Sequence, residues 1–239
     1  MAWLKRHGLS VGTHIGSLLP LAWLIWCFFR DQLTANPIQY ITFRTGKAAL
    51  VLLVLSLACT PVSSIFGLRQ VVGMRRALGL YAFTYASLHF LTFVGLDYQF
   101  DPSLLLEAVF KKRYALVGFA AFLVLLPLAV TSTKGWMRKL GRSWKRLHRF
   151  VYLAGILVVI HFVWLVKSDI REPLAYGAVV LLLLLLRLAR VRKALNKILE
   201  DCAMVLLRKS PSSRATAVEL HRVSSVTKRT DIPLNPLEL

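Results

Sequence analysis

The sequence predicts an all-α integral membrane protein of six transmembrane helices with both termini cytoplasmic. Three observations predict it. Of the 239 residues, 56% are hydrophobic, and the mean hydropathy is positive. Six mostly apolar runs each approach or exceed about 18 residues, the length that crosses a hydrocarbon core about 30 Å thick. The basic residues fall in alternate loops, as the positive-inside rule requires of a multi-pass chain.

The runs cover 13–29, 46–66, 77–96, 114–132, 147–167 and 173–190. The first follows Lys5 and Arg6 as a signal peptide would. It lacks a small-residue cleavage signal and continues for a full span, so it reads as a membrane anchor; it carries His14, Gly16 and Pro20. The second holds Thr60-Pro61 late in its length, where a kink or an end is expected because proline has no N–H for the ladder. These two read as scaffold. The third, ALGLYAFTYASLHFLTFVGL, carries His89, and the fifth carries His148 and His161. The sixth is almost uniformly aliphatic and reads as a lipid-facing packing helix. Three regions result: a cytoplasmic N-terminus, 1–12, a membrane domain, 13–192, and a basic, flexible cytoplasmic tail, 193–239. The tail is too short for a nucleotide-binding domain, and no G-x-G-x-x-G follows a strand. No internal repeat of fixed period stands out.

The formal net charge of +20 raises the question of nucleic acid. The cations lie in short loops and the tail rather than on one amphipathic face or recognition motif, so no nucleic-acid partner is expected. Topology accounts for them, with contact to anionic membrane lipid as a second role. Lys5 to Arg6, Arg69 to Arg76, Lys134 to Arg149 and Arg187 to Lys197 supply one side with seventeen basic residues and no acid. The other side carries eight basic residues against six acids.

Ionisable groups are costly in hydrocarbon and need partners, and a good partner for neutral imidazole is a metal. A single intramembrane histidine is more often a helix–helix hydrogen-bond donor, so depth decides which ones to pair. Spans three and five run in the same direction. His89 and His161 lie at similar distances from the starts of their spans and therefore at matched depth, able to face one iron from opposite sides. His148 and His161 are thirteen residues apart, roughly 20 Å along the axis, so one heme cannot use both. On a straight helix their side chains diverge by roughly 140°, and a bend or tilt must absorb the difference. Cys27, Cys59 and Cys202 are widely separated, and no C-x-x-C-H is present for covalent attachment, so a heme here is b-type. The reading is a six-helix heme-binding bundle.

His148, at the cytoplasmic mouth of span five, has no histidine partner at its depth. Arg75 occupies that depth on span three, and a guanidinium can hold a propionate but is a poor iron ligand. The inner site therefore reads as a singly ligated heme, a propionate contact, or a flavin or quinone contact. His14 is set aside as a ligand, and His7 and His221 read as solvated. Trp136, Trp144, Tyr152 and Trp164 read as interface anchors and packing residues.

Four pieces carry a resemblance: R-R-A-L-G-L at Arg75 to Leu80, Y-A-S-L-H at Tyr85 to His89, W-K-R-L-H-R at Trp144 to Arg149, and His161 thirteen residues after His148. Together, over about residues 45 to 190, the chain resembles the ferric-reductase-like transmembrane domain superfamily, and within it the bacterial MsrQ (YedZ) group. The resemblance implies a multi-pass subunit of the bacterial inner membrane that binds heme b, one or two per chain, and FMN. It implies electrons drawn from the quinone pool or a cytoplasmic flavin reductase. The implied acceptor is a periplasmic, molybdopterin-containing methionine-sulfoxide reductase subunit that repairs oxidised proteins. The chain would then be an electron-transfer component whose catalytic site lies on its partner. Two-heme relatives carry a second histidine near the position of Arg75, so this chain departs from them at the inner site. Two other readings of the same histidines are a ferric or cupric reductase component and a proton-coupled transporter.

Overall fold

The computed structural model describes residues 2–166 and 169–187. The tail 193–239 and the end of the sixth expected span lie outside those residues. The elements are α1 (Ala2–Phe29), α2 (Pro37–Phe66), α3 (Arg69–Leu91) running into a π-helical segment (Thr92–Asp97), α4 (Pro102–Lys111), α5 (Arg113–Val130), α6 (Lys134–Leu140), α7 (Arg142–Leu147), a 3₁₀ turn (His148–Phe150), α8 (Val151–Leu165) and α9 (Arg171–Leu185). No strand occurs among the described residues.

Five stretches are long and apolar enough to cross a membrane: Gly8–Phe29, Pro37–Phe66, Gln70–Asp97, Arg113–Val130 and Arg142–Leu165. They match the first five expected spans. The protein is thus a multi-pass membrane protein. The sixth, α9, has 15 described residues, about 22 Å of helix, which is shorter than the hydrocarbon core.

Local chemistry sets the ends. Asn36 caps α2 by accepting from the Gln39 amide at 3.1 Å, with Pro37 at the first helical position where its missing N–H costs nothing. Gly67 closes the helix at φ 69°, the left-handed conformation that suits glycine. Asp101 caps α4, accepting from the amides of Ser103 and Leu104.

Two antiparallel hairpins form the body, α2 with α3 and α5 with α8, while α1 lies on α3 and α9 on α8. The core is built from Leu52, Leu53, Leu78, Ala82, Tyr85, Leu125 and Ala154. Two side chains hold the outer helices through backbone bonds. The Tyr85 hydroxyl donates to the Ser17 carbonyl at 2.8 Å and accepts from the Leu21 amide at 3.0 Å, linking α3 to one rung of α1. Pro61 does not end α2, which continues to Phe66. A proline withdraws the hydrogen bond from the carbonyl four residues earlier, here Leu57. Arg187 supplies the missing donor to the Leu57 carbonyl at 2.7 Å and also bonds the Tyr152 hydroxyl. At the other end Lys47 and Glu172 join α2 to α9 at 2.5 Å.

Candidate heme-binding site

Each hairpin presents one histidine in the same way. His89 of α3 reaches back to α2, where its Nδ1 lies 2.8 Å from the Thr42 carbonyl. His161 of α8 reaches back to α5, where its Nδ1 lies 2.7 Å from the Tyr114 carbonyl. Thr42 lies in the second turn of α2 and Tyr114 in the first turn of α5, and a carbonyl has two lone pairs, so it can serve its helix and a ring at once. The ring must cross the space that the side chain four residues further along would occupy. That residue is Gly46 in α2 and Gly118 in α5. A Cβ at Gly46 would sit 3.0 Å from His89 Nδ1, and one at Gly118 only 2.6 Å from His161 Nδ1. Glycine is required for the close approach at 118, and at 46 it relieves a tighter-than-usual contact.

The two rings then face each other, edge to face, with centroids 6.1 Å apart. Since a carbonyl can only accept, each Nδ1 carries the hydrogen and each Nε2 keeps its lone pair, the arrangement that orients a metal-bound imidazole. Two bonds of about 2 Å from Nε2 to a metal, plus the ring radius on each side, put the centroids about 6 Å apart. The observed pair fits. No group of three or more His, Cys, Asp or Glu side chains that could hold a metal ion occurs among the described residues. Two neutral imidazoles alone would leave a free ion short of ligands, whereas iron already held by four macrocycle nitrogens needs two axial donors. The donor set therefore suits heme.

The bend expected in the fifth span is a 3₁₀ turn at His148–Phe150. Three residues at about 120° rather than about 100° reduce the divergence of His148 and His161 from roughly 140° to roughly 80°. His148 stacks on Trp144 with centroids 3.9 Å apart, and Trp144 donates from Nε1 to the Thr131 carbonyl at 2.9 Å. His148 Nε2 lies 3.4 Å from the Ser132 hydroxyl. Arg75 donates to the Thr60 hydroxyl at 3.4 Å. The structure thus brings His89 and His161 together, while His148 and Arg75 each bond a different hydroxyl.

Those hydroxyls expose an order that the sequence reading missed. Thr42 and Tyr114, Gly46 and Gly118, Thr60 and Ser132, His89 and His161 are each 72 positions apart. The two hairpins repeat the same contacts at that spacing. Arg75 on Thr60 corresponds to His148 on Ser132, displaced by one residue at the 3₁₀ turn. The signal in the sequence was a glycine 43 residues before a histidine, twice. Divergence of the intervening apolar residues hides it, because any aliphatic side chain satisfies a lipid-facing position.

Residues 45–159 match the family described as ferric reductase like transmembrane component. The protein-methionine-sulfoxide reductase heme-binding subunit MsrQ of Xanthomonas axonopodis pv. citri is 47% identical over 178 residues, covering 72% of this chain and 82% of the relative. The subunit of the same name from Caulobacter vibrioides is 44% identical over 179 residues, covering 74% and 85%. With its paired imidazoles, its hairpin architecture and this degree of identity, the chain belongs to the MsrQ family of heme-binding membrane subunits.

Proposed function

We propose that the chain is the membrane electron-transfer subunit of a methionine-sulfoxide reductase, with heme b held between His89 and His161. The observation that carries the reading is the pair of Nδ1-anchored rings 6.1 Å apart. When bound between His89 and His161, a heme would supply a reversible one-electron couple, and two imidazole ligands would favour electron transfer over oxygen binding. The protein's part is orientation: Thr42 and Tyr114 hold the imidazoles in one tautomer, and Gly46 and Gly118 let them dock.

In this reading six spans cross the bacterial inner membrane with the basic loops and both termini in the cytoplasm. Electrons enter from quinol or a cytoplasmic flavin reductase and leave to a periplasmic, molybdopterin-containing catalytic subunit. His148 and Arg75 border an inner cofactor position, where one imidazole and one guanidinium suit an anionic group of a second heme or of FMN.

The test is the absorbance spectrum of the detergent-purified protein, oxidised and dithionite-reduced, with heme per chain from pyridine hemochrome. A low-spin b-type spectrum that is lost in His89→Ala and in His161→Ala supports the reading. Full heme retention in either variant refutes the pairing, and absence of heme from protein made with ample heme supply refutes the conduit.

A further inference from the structure

Away from the paired histidines, an open groove of about 420 Å³ runs along α3 beside His14 of α1. Small residues of α3, Gly73 and Ala77, make the room, and Arg76, Tyr81 and, from α1, His14 line it. His14 Nδ1 lies 3.0 Å from the Tyr81 hydroxyl, with the rings edge to face at 5.7 Å. His14 and Arg76 are exposed, yet both lie inside membrane-spanning stretches, 8–29 and 70–97. Arg76 belongs to the basic group at the start of its stretch and His14 lies near the start of its own, so the site falls toward a water–lipid boundary, where exposed polar groups beside apolar helices can meet the head of a lipid-soluble ligand.

An occupant must dissolve in the bilayer and carry oxygens that can bond an imidazole, a phenol and a guanidinium. A lipid-soluble quinol has both properties. The groove is also placed to use one: Tyr81 and His89 are on the same helix, eight residues or about 12 Å of rise apart. The match to the ferric reductase like family model covers residues 45–159, so α1 and His14 lie outside that match.

We propose that the α1/α3 groove is the quinol oxidation site, an inference that rests on the electron-transfer reading above. With Nδ1–H donated to the Tyr81 oxygen, His14 Nε2 accepts the first proton as a quinol O–H bond breaks. Arg76 stabilises the resulting oxyanion, and the second proton leaves to water at the basic end of the bundle. The quinol is oxidised to quinone, losing two electrons and two protons; the heme that His89 and His161 would hold is the one-electron acceptor and would take the two electrons in separate turns.

The experiment uses the full-length, heme-loaded protein in nanodiscs. Stopped-flow absorbance follows heme reduction by a short-chain quinol, and a photoreactive azidoquinone is mapped by peptide mass spectrometry. His14→Ala and Arg76→Gln should each slow quinol-driven reduction about tenfold at limiting quinol, the scale of one hydrogen bond to an ionising group. Heme per chain and the dithionite-reduced spectrum should not change. Tyr81→Phe, which keeps the ring packing, should slow it by a smaller factor. Label should fall on peptides of α1 and α3 and be suppressed by excess quinol. Variants reduced at the wild-type rate, label elsewhere, or label displaced by phosphatidylglycerol but not by quinol would each overturn the site. A wild-type protein that binds heme and accepts electrons from a flavin reductase but not from quinol also overturns it and leaves the conduit standing. Failure to bind heme removes the conduit itself.

Discussion

Gly118→Ala isolates the orientation of one axial ligand. Its Cβ would meet His161 Nδ1 at 2.6 Å and Cε1 at 2.8 Å, where ordinary contact begins at 3.4 Å. The ring must therefore retreat by about 0.8 Å, stretching its 2.7 Å bond to the Tyr114 carbonyl to about 3.5 Å, beyond hydrogen-bonding geometry. That loss costs about 1 kcal/mol, while alanine in place of glycine inside a helix returns about 1 kcal/mol. Bundle stability should change little. The ligand loses its fixed tautomer and aim, a kind of change that weakens metal binding about 10- to 100-fold. Gly46→Ala is the internal comparison: its Cβ meets His89 Nδ1 at 3.0 Å, a retreat of about 0.4 Å leaves the 2.8 Å bond near 3.2 Å, and that bond survives. Heme titration of the apoproteins, with the Soret band reporting spin state, reads both. Gly118→Ala should bind heme weakly or in a partly high-spin form, and Gly46→Ala should stay near wild type. Equal, undisturbed low-spin binding by the two variants would refute the argument that these glycines exist to admit the rings.

Three further outcomes follow from other contacts. His148→Ala removes the Trp144 stack and the contact near Ser132; it should leave the His89/His161 heme intact and alter a separate inner cofactor or the rate of electron entry, and an unchanged cofactor content with an unchanged reduction rate would make the residue structural. Arg187→Leu leaves the buried carbonyl opposite Pro61 without a donor and should destabilise the protein by about 1–3 kcal/mol, measured by thermal unfolding in detergent, whereas Pro61→Ala combined with it should recover part of the loss by restoring the helical bond. The Ser103 hydroxyl and the amides of Ser103 and Leu104 hold the Asp101 carboxyl below the ordinary carboxylate range. Its capping of α4 is thus complete above that range and lost as pH falls through the depressed value. Hydrogen exchange at Ser103 and Leu104 should be faster in Asp101→Ala at neutral pH and converge with wild type in strong acid; a difference that persists in acid would show that the cap is not the ionised carboxylate.

Most of the membrane plan was readable along the chain, because hydrophobic length is a local property: five of the six expected spans coincide with long apolar helices. The pairing of His89 with His161 was also legible, since helix rise converts sequence position into depth. The sequence could place them at one level but not say what aims them. Backbone carbonyls of Thr42 and Tyr114 carry no side-chain identity, and the glycines that expose them look like any other glycine. The angular mismatch of His148 and His161 asked for a bend or tilt somewhere in the span, yet the 3₁₀ turn at His148–Phe150 is a matter of which hydrogen bonds the folded chain makes. Pro61 announced a broken rung, but the donor that repairs it, Arg187, lies 130 residues away. His14 was set aside because nothing near it in the chain suggests a partner, and only the packing of α1 on α3 brings it to Tyr81. The sequence by itself located the five long apolar stretches and put His89 and His161 at similar distances along theirs. The tertiary structure decided which side chains meet, since azimuth around a helix and contact between distant helices depend on the packing of the whole bundle.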